Sequence, residues 1–165
     1  MRGRAAADTR PAQDAWHTAV RLLALRSRST EEVRRLLARH GYAPGETAAA
    51  IQRLTAARYL DDAAFARAWL ATRARQRLGP ARLARELNAK GLPDAVIAEA
   101  LEELLQARDP REAAADAARR KVPSLAGLPR PVARRRLAGF LERKGFSAEI
   151  IVTLCRRHFG GDDVE

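Results

Sequence analysis

Aromatic residues, cysteine, lysine and long apolar runs are all scarce in this chain of 165 residues. Aromatics make up only 5% of it, and most of the apolar content is Ala and Leu, which favours packed helices over a β-sandwich. The single cysteine, Cys155, excludes a disulfide framework and is typical of a reducing cytosol, so we interpret it as a small core residue. No apolar run has membrane-spanning length and the N-terminus lacks a signal-peptide apolar stretch. We therefore expect a cytoplasmic protein.

Groups that carry catalysis or hold metals are also hard to find. His17, His40 and His158 are scattered, and no Cys/His spacing matches a zinc site. A glycine-rich phosphate loop is missing, which argues against ATP hydrolysis. The best carboxylate pair is Asp61 and Asp62, for which helix capping outweighs acid–base chemistry because no third ligand or base accompanies it. We expect no metal, no cofactor and no enzymatic activity, and an enzyme built on this carboxylate pair is the weakest alternative.

A short pattern that is present three times predicts the fold. Two apolar residues lie four positions apart, a glycine follows four positions later, and a large apolar residue comes next. The pair marks one face of a helix and the glycine suits a left-handed C-cap, while a second apolar stripe follows each copy. Recurrence at this spacing predicts an all-α fold, an elongated array of three tandem three-helix, helix-turn-helix-like repeats. The copies are Val33/Leu37/Gly41/Tyr42, Leu83/Leu87/Gly91/Leu92 and Leu137/Leu141/Gly145/Phe146.

Capping and breaking residues predict where the repeats begin and end. Residues 1–13 have no apolar period and are predicted to be disordered, and 160–165 are predicted to form a flexible tail. The three repeats are expected at 14–60, 61–108 and 109–159.

Finer expectations concern individual helix ends. Ser29 and Glu32 form a capping box, and Ser147 is expected to cap the last helix. The first helix of the second repeat is expected to run to about Leu78. Residues 123–131 are rich in Pro and Gly and are expected to form a loop longer than its counterparts.

The charge of the chain points to nucleic acid or another polyanion. The net charge is +11, and the basic residues are nearly all arginine, whose guanidinium can grip phosphate oxygens bidentately. Residues 15–60 carry five more basic than acidic groups, residues 61–106 are neutral, and residues 112–159 carry an excess of seven basic groups. The two ends are therefore expected to contact phosphate, and the middle to contact protein.

Twelve arginines are the candidates for contact with nucleic acid or a nucleoprotein partner. Three of them, at 134–136, are expected to open a helix, where positive charge opposes the helix dipole and a partner would have to compensate. Trp16 and Trp69 lie on apolar stripes and are interpreted as core residues. The candidates are Arg26, Arg28, Arg73, Arg75, Arg77, Arg82, Arg85, Arg134, Arg135, Arg136, Arg156 and Arg157.

Several strings in this sequence resemble the RecX family. The resemblance covers about residues 15–159, and the Tyr-Leu-Asp-Asp string is the most specific part of it. The matching strings are Arg26-Ser27-Arg28-Ser29 with Glu32-Val33, Tyr59-Leu60-Asp61-Asp62 with Phe65-Ala66, Gly79-Pro80 with Leu83, Glu86-Leu87 and Lys90-Gly91, and Leu137 with Leu141 and Lys144-Gly145-Phe146.

The resemblance implies a cytoplasmic, monomeric regulator of the RecA recombinase, built from three tandem three-helix units. Such a regulator would bind along the groove of the RecA–DNA filament and restrain filament growth, ATP hydrolysis and strand exchange. It would also bind single-stranded and duplex DNA without sequence preference and in a salt-sensitive way. Tyr59, Leu60, Asp61, Asp62 and Phe65 would form the joint between the first two repeats. The alternative is an autonomous basic DNA-binding protein of the helix-turn-helix type.

Overall fold

The computed structural model of the chain describes residues 14–160, and within that range it is helical, with nine α-helices, two short 3-10 helices and no strand. The predicted disorder of residues 1–13 and the predicted flexibility of 161–165 lie outside the described residues. The all-helical prediction is confirmed. The helices are α1 Ala15–Leu25, α2 Thr30–Arg39, α3 Pro44–Ala56, α4 Asp62–Arg73, α5 Pro80–Ala89, α6 Asp94–Ala107, α7 Pro110–Lys121, α8 Arg130–Arg143 and α9 Ala148–Phe159, and the 3-10 helices are Ala74–Gln76 and Val122–Leu125.

The repeated helix–glycine pattern forms the predicted C-caps. After α8, the amide of Gly145 donates to the carbonyl of Glu142 at 2.8 Å, and the amide of Phe146 donates to the carbonyl of Leu141 at 3.2 Å. This pair of hydrogen bonds is the Schellman motif, which requires left-handed backbone at the glycine. The φ angles are 84°, 76° and 87° at Gly41, Gly91 and Gly145.

The contacts divide the chain into two compact units. One contains the described residues up to Phe65 together with Lys90–Leu92, and the other contains Ala66–Ala89 and the described residues from Pro93 onward. In the first unit, α1, α2 and α3 pack on one another around a buried cluster. In the second, α5 packs against α6, and α7, α8 and α9 enclose another cluster.

Apolar burial on the patterned faces holds each helical repeat together. Leu37 of α2 and Leu137 and Leu141 of α8 are fully buried. Burial of a leucine side chain stabilises a fold by about 1.5–3 kcal/mol. Helix α7 contributes only alanines to its cluster, and these small side chains allow α8 and α9 to pack closely. Cys155 is 3% exposed in this cluster, as predicted.

Two predicted segments differ from the structure. Helix α4 ends at Arg73, and a 3-10 turn to Gln76 replaces the predicted continuation to about Leu78. The reason is the left-handed backbone of Arg77, with φ 53°, which an α-helix cannot include. The predicted loop 123–131 is partly helical, because the 3-10 turn Val122–Leu125 inserts Leu125, 3% exposed, into the core.

The predicted helix caps agree with the structure at Ser29 and differ from it at Ser147. Ser29 and Glu32 form the complete capping box, and the Asp14 carboxylate caps α1 by accepting from the amide of His17 at 2.9 Å. Ser147 occupies the N-cap position of α9, but its side chain makes no capping hydrogen bond.

Candidate partner-binding surface

The twelve candidate arginines lie in different environments. Eight are exposed, and within residues 14–160 the side chains of six of these make no ion pair or hydrogen bond. Guanidinium groups with unused donors are available to phosphate or carboxylate oxygens of a partner. These six, here called the exposed arginines, are Arg75, Arg85, Arg135, Arg136, Arg156 and Arg157.

Other arginines are engaged inside the fold. The Nε atoms of Arg73 and Arg82 lie 2.9 and 3.3 Å from the two oxygens of Glu86, which is itself mostly buried. The Arg73 guanidinium also lies 4.9 Å from the centre of the Trp69 ring. Sequence reasoning missed Glu86 as the partner of these arginines, although its placement four residues after Arg82 is a helix-pair signal.

Arg77 is held by a carboxylate that is distant in sequence. Its Nε donates to the Asp116 carboxylate of α7, and this hydrogen bond lowers the pKa of Asp116. Arg28 is similarly occupied, because its Nε donates to the carbonyl of Leu22 at 3.1 Å near the end of α1. These two arginines therefore serve the fold.

The arginines of α8 do not open the helix, contrary to the prediction from the sequence. Helix α8 begins at Arg130, so Arg134, Arg135 and Arg136 start in its second turn. The helix dipole acts mainly within the first turn, so the expected destabilisation does not apply to these three residues. Arg134 is half-buried, and its backbone carbonyl lies 3.8 Å from Cys155 Sγ.

A polar network joins the start of α2 to the turn after α5. The fully buried Ser29 accepts a hydrogen bond from the Glu32 amide and donates its hydroxyl to the carbonyl of Lys90 at 2.6 Å. The Glu32 carboxylate pairs with Lys90 Nζ at 3.0 Å and with Arg26 Nη2 at 3.1 Å. Arg26, another of the twelve candidates, is therefore held by the network.

The Asp61–Asp62 carboxylates cap two different helices, and only the Asp61 cap was predicted. Asp61 accepts from the amide of Ala64 at 2.8 Å at the start of α4. Asp62 is the first residue of α4, but its carboxylate accepts a hydrogen bond from the amide of Thr30 at 2.8 Å and so caps α2. Residues 14–160 contain no group of three His, Cys, Asp or Glu side chains arranged to hold a metal.

The other residues of this motif are divided between core and surface. Leu60 and Phe65 are buried. Tyr59 is 57% exposed, and its ring is nearly perpendicular to that of Trp16, with 5.9 Å between the ring centroids. Trp16 is half-buried against the first cluster, and the Arg53 guanidinium covers its ring at 4.5 Å.

A second joint in the other compact unit matches the Ser29–Lys90 contact. The amide of Gly79, just before α5, donates to the carbonyl of Lys144 at 2.8 Å, and Lys144 Nζ donates to the carbonyl of Gln76 at 3.1 Å. Burial, followed by repulsion from Arg77 and Arg82, lowers the pKa of Lys144. Lys90 and Lys144 both precede the glycine of the repeated pattern, so one sequence position makes the same kind of contact twice.

The network around Glu32 makes the free energy of unfolding depend on pH in the acid range. Burial raises its pKa, but hydrogen bonds from Arg26, Lys90 and the Ser29 amide outweigh burial and bring the pKa from 4.5 to about 2. A carboxylate whose pKa is lower in the folded state stabilises the fold at pH values above its unfolded-state pKa. This contribution disappears as the pH falls towards the folded-state pKa. Between about pH 5 and pH 2 the protein should lose about 3 kcal/mol of unfolding free energy from this group.

The variant Glu32→Gln tests this pH dependence by denaturant unfolding across the acid range. It should be less stable than the parent at pH 7, and the difference should vanish near pH 2. Glu99→Gln, an exposed change on α6, is the matched control and should keep the parental acid dependence. A constant difference between Glu32→Gln and the parent at all pH values would contradict the assignment.

These features define a class of protein: a tandem helical-repeat protein with exposed arginines on its surface. Sequence profiles of the RecX first, second and third three-helix domains match residues 15–54, 61–101 and 109–153. The chain belongs to the RecX family. The resemblance carried by the motifs and the prediction of three tandem three-helix units are confirmed.

Full-length relatives agree with this assignment. The regulatory protein RecX of Amycolatopsis mediterranei is 33% identical over 145 residues, which cover 86% of this chain and 82% of the relative. That of Halorhodospira halophila is 37% identical over 139 residues, covering 79% and 80%. A shorter match, 49% identical over 86 residues, links the chain to the Thermus thermophilus protein and covers 52% of this chain and 58% of that one.

Solved structures show the same fold. The crystal structure of RecX from Lactobacillus salivarius has a TM-score of 0.78 and 21% identity, and covers 87% of this chain and 93% of that chain. A crystal structure of a regulatory protein RecX has a TM-score of 0.77 and 19% identity, covering 85% of this chain and 69% of that chain. In the described part of the chain, no helix is both long and apolar enough to span a bilayer.

Proposed function

We propose that this protein regulates the RecA recombinase by binding along the groove of the RecA–DNA filament and restraining filament growth, ATP hydrolysis and strand exchange. Its relatives are regulatory proteins RecX. The observation that carries the proposal is the set of six exposed arginines on a RecX fold. Their side chains make no ion pair or hydrogen bond with the described residues. A DNA-containing filament offers phosphate oxygens to these groups.

The distribution of the exposed arginines supports contact with both DNA and protein. Four of the six belong to α8 and α9, in the strongly basic third repeat. In the neutral middle, carboxylates occupy Arg73, Arg77 and Arg82, so that Arg75 and Arg85 are the candidates there with unused donors. Such an arrangement suits a third repeat that contacts phosphate and a middle repeat that contacts protein.

The Tyr59–Phe65 motif is proposed to act as the joint between the first two repeats. The hydrogen bond from the Thr30 amide to Asp62 supports this role, because it links the start of α2 to the residue that begins α4. Buried Leu60 and Phe65 lie on either side of Asp62 in sequence. A fixed joint would set the spacing at which successive repeats meet successive partner subunits.

Two consequences for the filament follow from this mode of binding. A helical protein seated in the groove would occupy space that an incoming duplex needs, which would restrain strand exchange. At a filament end it would bridge the last subunits and block addition of the next one. Growth and single-strand-dependent ATP hydrolysis would then fall when the protein is far less abundant than RecA.

The deciding experiment titrates this protein, at ratios well below one per recombinase, into single-strand-dependent ATP hydrolysis by the cognate RecA. Inhibition at such ratios is expected. A flat response, or inhibition only when enough protein is present to coat all the DNA, would contradict filament regulation. An autonomous helix-turn-helix-type DNA-binding protein would then be the better assignment, with a preference for duplex DNA and no need for RecA.

Salt separates the DNA contribution from the protein contribution. Binding to bare DNA should weaken steeply with salt, because each phosphate contact releases a counterion. Binding to the assembled filament should weaken less, because the protein contacts release none. If salt weakened binding to bare DNA and binding to the filament equally, the proposed contact with the protein of the filament would be contradicted.

A further inference from the structure

A groove between the start of α8 and the end of α9 has no assigned role. Its volume is about 670 Å³, which is in the range of sites that accept large side chains or small ligands. The floor is apolar, with Ala138 on α8 and Ile151, Val152 and Phe159 on α9. Val152 is 42% exposed, so part of this apolar surface faces solvent in the described structure.

The rim of the same groove is strongly basic. Three arginines of α8 line it, among them Arg130 and Arg135, and no acidic residue of the described range does so. Arg135 is one of the exposed arginines. Arg130 donates to the carbonyl of Phe159 at the end of α9, which keeps its positive charge at the mouth of the groove. The N-terminal end of the α8 dipole adds to the positive potential there.

We propose that this groove binds an acidic segment of a partner protein that carries a large apolar side chain. The apolar side chain would cover Ile151 and Val152, and flanking carboxylates would pair with Arg130 and Arg135. Charge complementarity selects an acidic occupant, and the aliphatic floor selects a protein over nucleic acid. A DNA backbone offers no aliphatic side chain. Proteins bind single strands chiefly by stacking the bases on aromatic rings, and among the described residues only Phe159 supplies such a ring to the groove.

This inference goes beyond the proposed function, because the chemistry of the groove specifies the occupant whichever protein supplies it. It also gives a separate role to Arg135, which the sequence grouped with Arg136 as a phosphate contact. The two residues are neighbours on α8 and both are exposed, but only Arg135 lines the groove. They therefore form a matched pair for a test.

The test uses a short fluorescein-labelled peptide of glutamates with two leucines at i and i+4 spacing, and measures binding to the full chain by fluorescence anisotropy. Arg135→Glu should weaken binding about tenfold or more, since it converts an attractive contact into a repulsive one. Arg136→Glu makes the same charge change outside the groove and should have a much smaller effect. Val152→Ser, and the peptide with serines in place of leucines, should each weaken binding because less apolar surface is covered.

Several results would overturn the proposal. Equal weakening by Arg135→Glu and Arg136→Glu would show attraction to overall charge alone. Equal binding of the leucine and serine peptides would show that the apolar floor does not contribute to binding. Absence of saturable binding would show that the groove is not a binding site for such a segment. If Arg135→Glu weakened binding of an oligothymidylate more than binding of the peptide, the groove would be a DNA site. Unchanged circular dichroism of each variant shows that the fold is intact.

Discussion

Replacing Gly145 by alanine is expected to lower the free energy of unfolding by about 3–4 kcal/mol, whereas the same change at Gly41 should cost about 1 kcal/mol. Both glycines end a patterned helix with similar positive φ angles, 87° and 84°, so both substitutions carry the strain of left-handed backbone. Only Gly145 is also crowded. A Cβ there would lie 2.6 Å from the Cβ and 2.9 Å from the Cα of Arg82, while a Cβ at Gly41 would meet nothing within 4 Å.

The two variants form a matched pair, and denaturant unfolding of both measures the contribution of the close approach alone. Gly79→Ala is a third variant without the left-handed strain, because Gly79 does not have a positive φ angle. A Cβ at Gly79 would lie 2.6 Å from the amide nitrogen of Phe146, on the opposite side of the same contact. This variant should also destabilise more than Gly41→Ala. Similar destabilisation by Gly145→Ala and Gly41→Ala would mean that the turn after α8 does not pack on the start of α5 as described.

This difference between two equivalent glycines shows how far the sequence could predict the fold. The helix–glycine pattern is local, since its periodicity, its C-cap and the capping box at Ser29 involve residues only a few positions apart. Helix type and the C-terminal ends of the three patterned helices were therefore predictable. Whether a patterned glycine also permits close approach depends on a segment more than sixty residues away, as for Gly145 and Arg82, and no local signal contains that information.

The same reasoning explains what could be predicted of the candidate surface. The sequence could predict that arginine would dominate a basic surface, because net charge and composition are visible without a structure. It could not separate an arginine bound to a distant carboxylate from one that faces solvent, as Arg77 and Arg75 show. The partner of Arg77 is Asp116, 39 positions away, and only the packing of α7 brings the two together.

The triple variant Arg85→Glu, Arg136→Glu and Arg156→Glu is expected to bind single-stranded DNA about a hundredfold or more weakly at low salt, because the substitutions replace phosphate-binding groups by repulsive ones. The slope of log affinity against log salt should become shallower by about 0.7 for each phosphate that is no longer neutralised. Because these side chains are exposed and make no ion pair with any residue of the described range, the free energy of unfolding should change by only about 0.5 kcal/mol for each substitution. Fluorescence anisotropy with a labelled oligothymidylate and denaturant unfolding measure the two quantities.

Arg73→Ala is the opposite case and serves as the control. Arg73 contacts Glu86 and the Trp69 ring, so its removal should lower the free energy of unfolding by about 1–2 kcal/mol while DNA affinity stays within about twofold of the parent. If the triple variant kept the parental salt slope, the exposed arginines would not contact phosphate. A triple variant that kept DNA affinity but no longer inhibited RecA would instead assign these side chains to the protein side of the filament. Absence of both activities would leave phosphate contact as the means by which the protein is held on the filament.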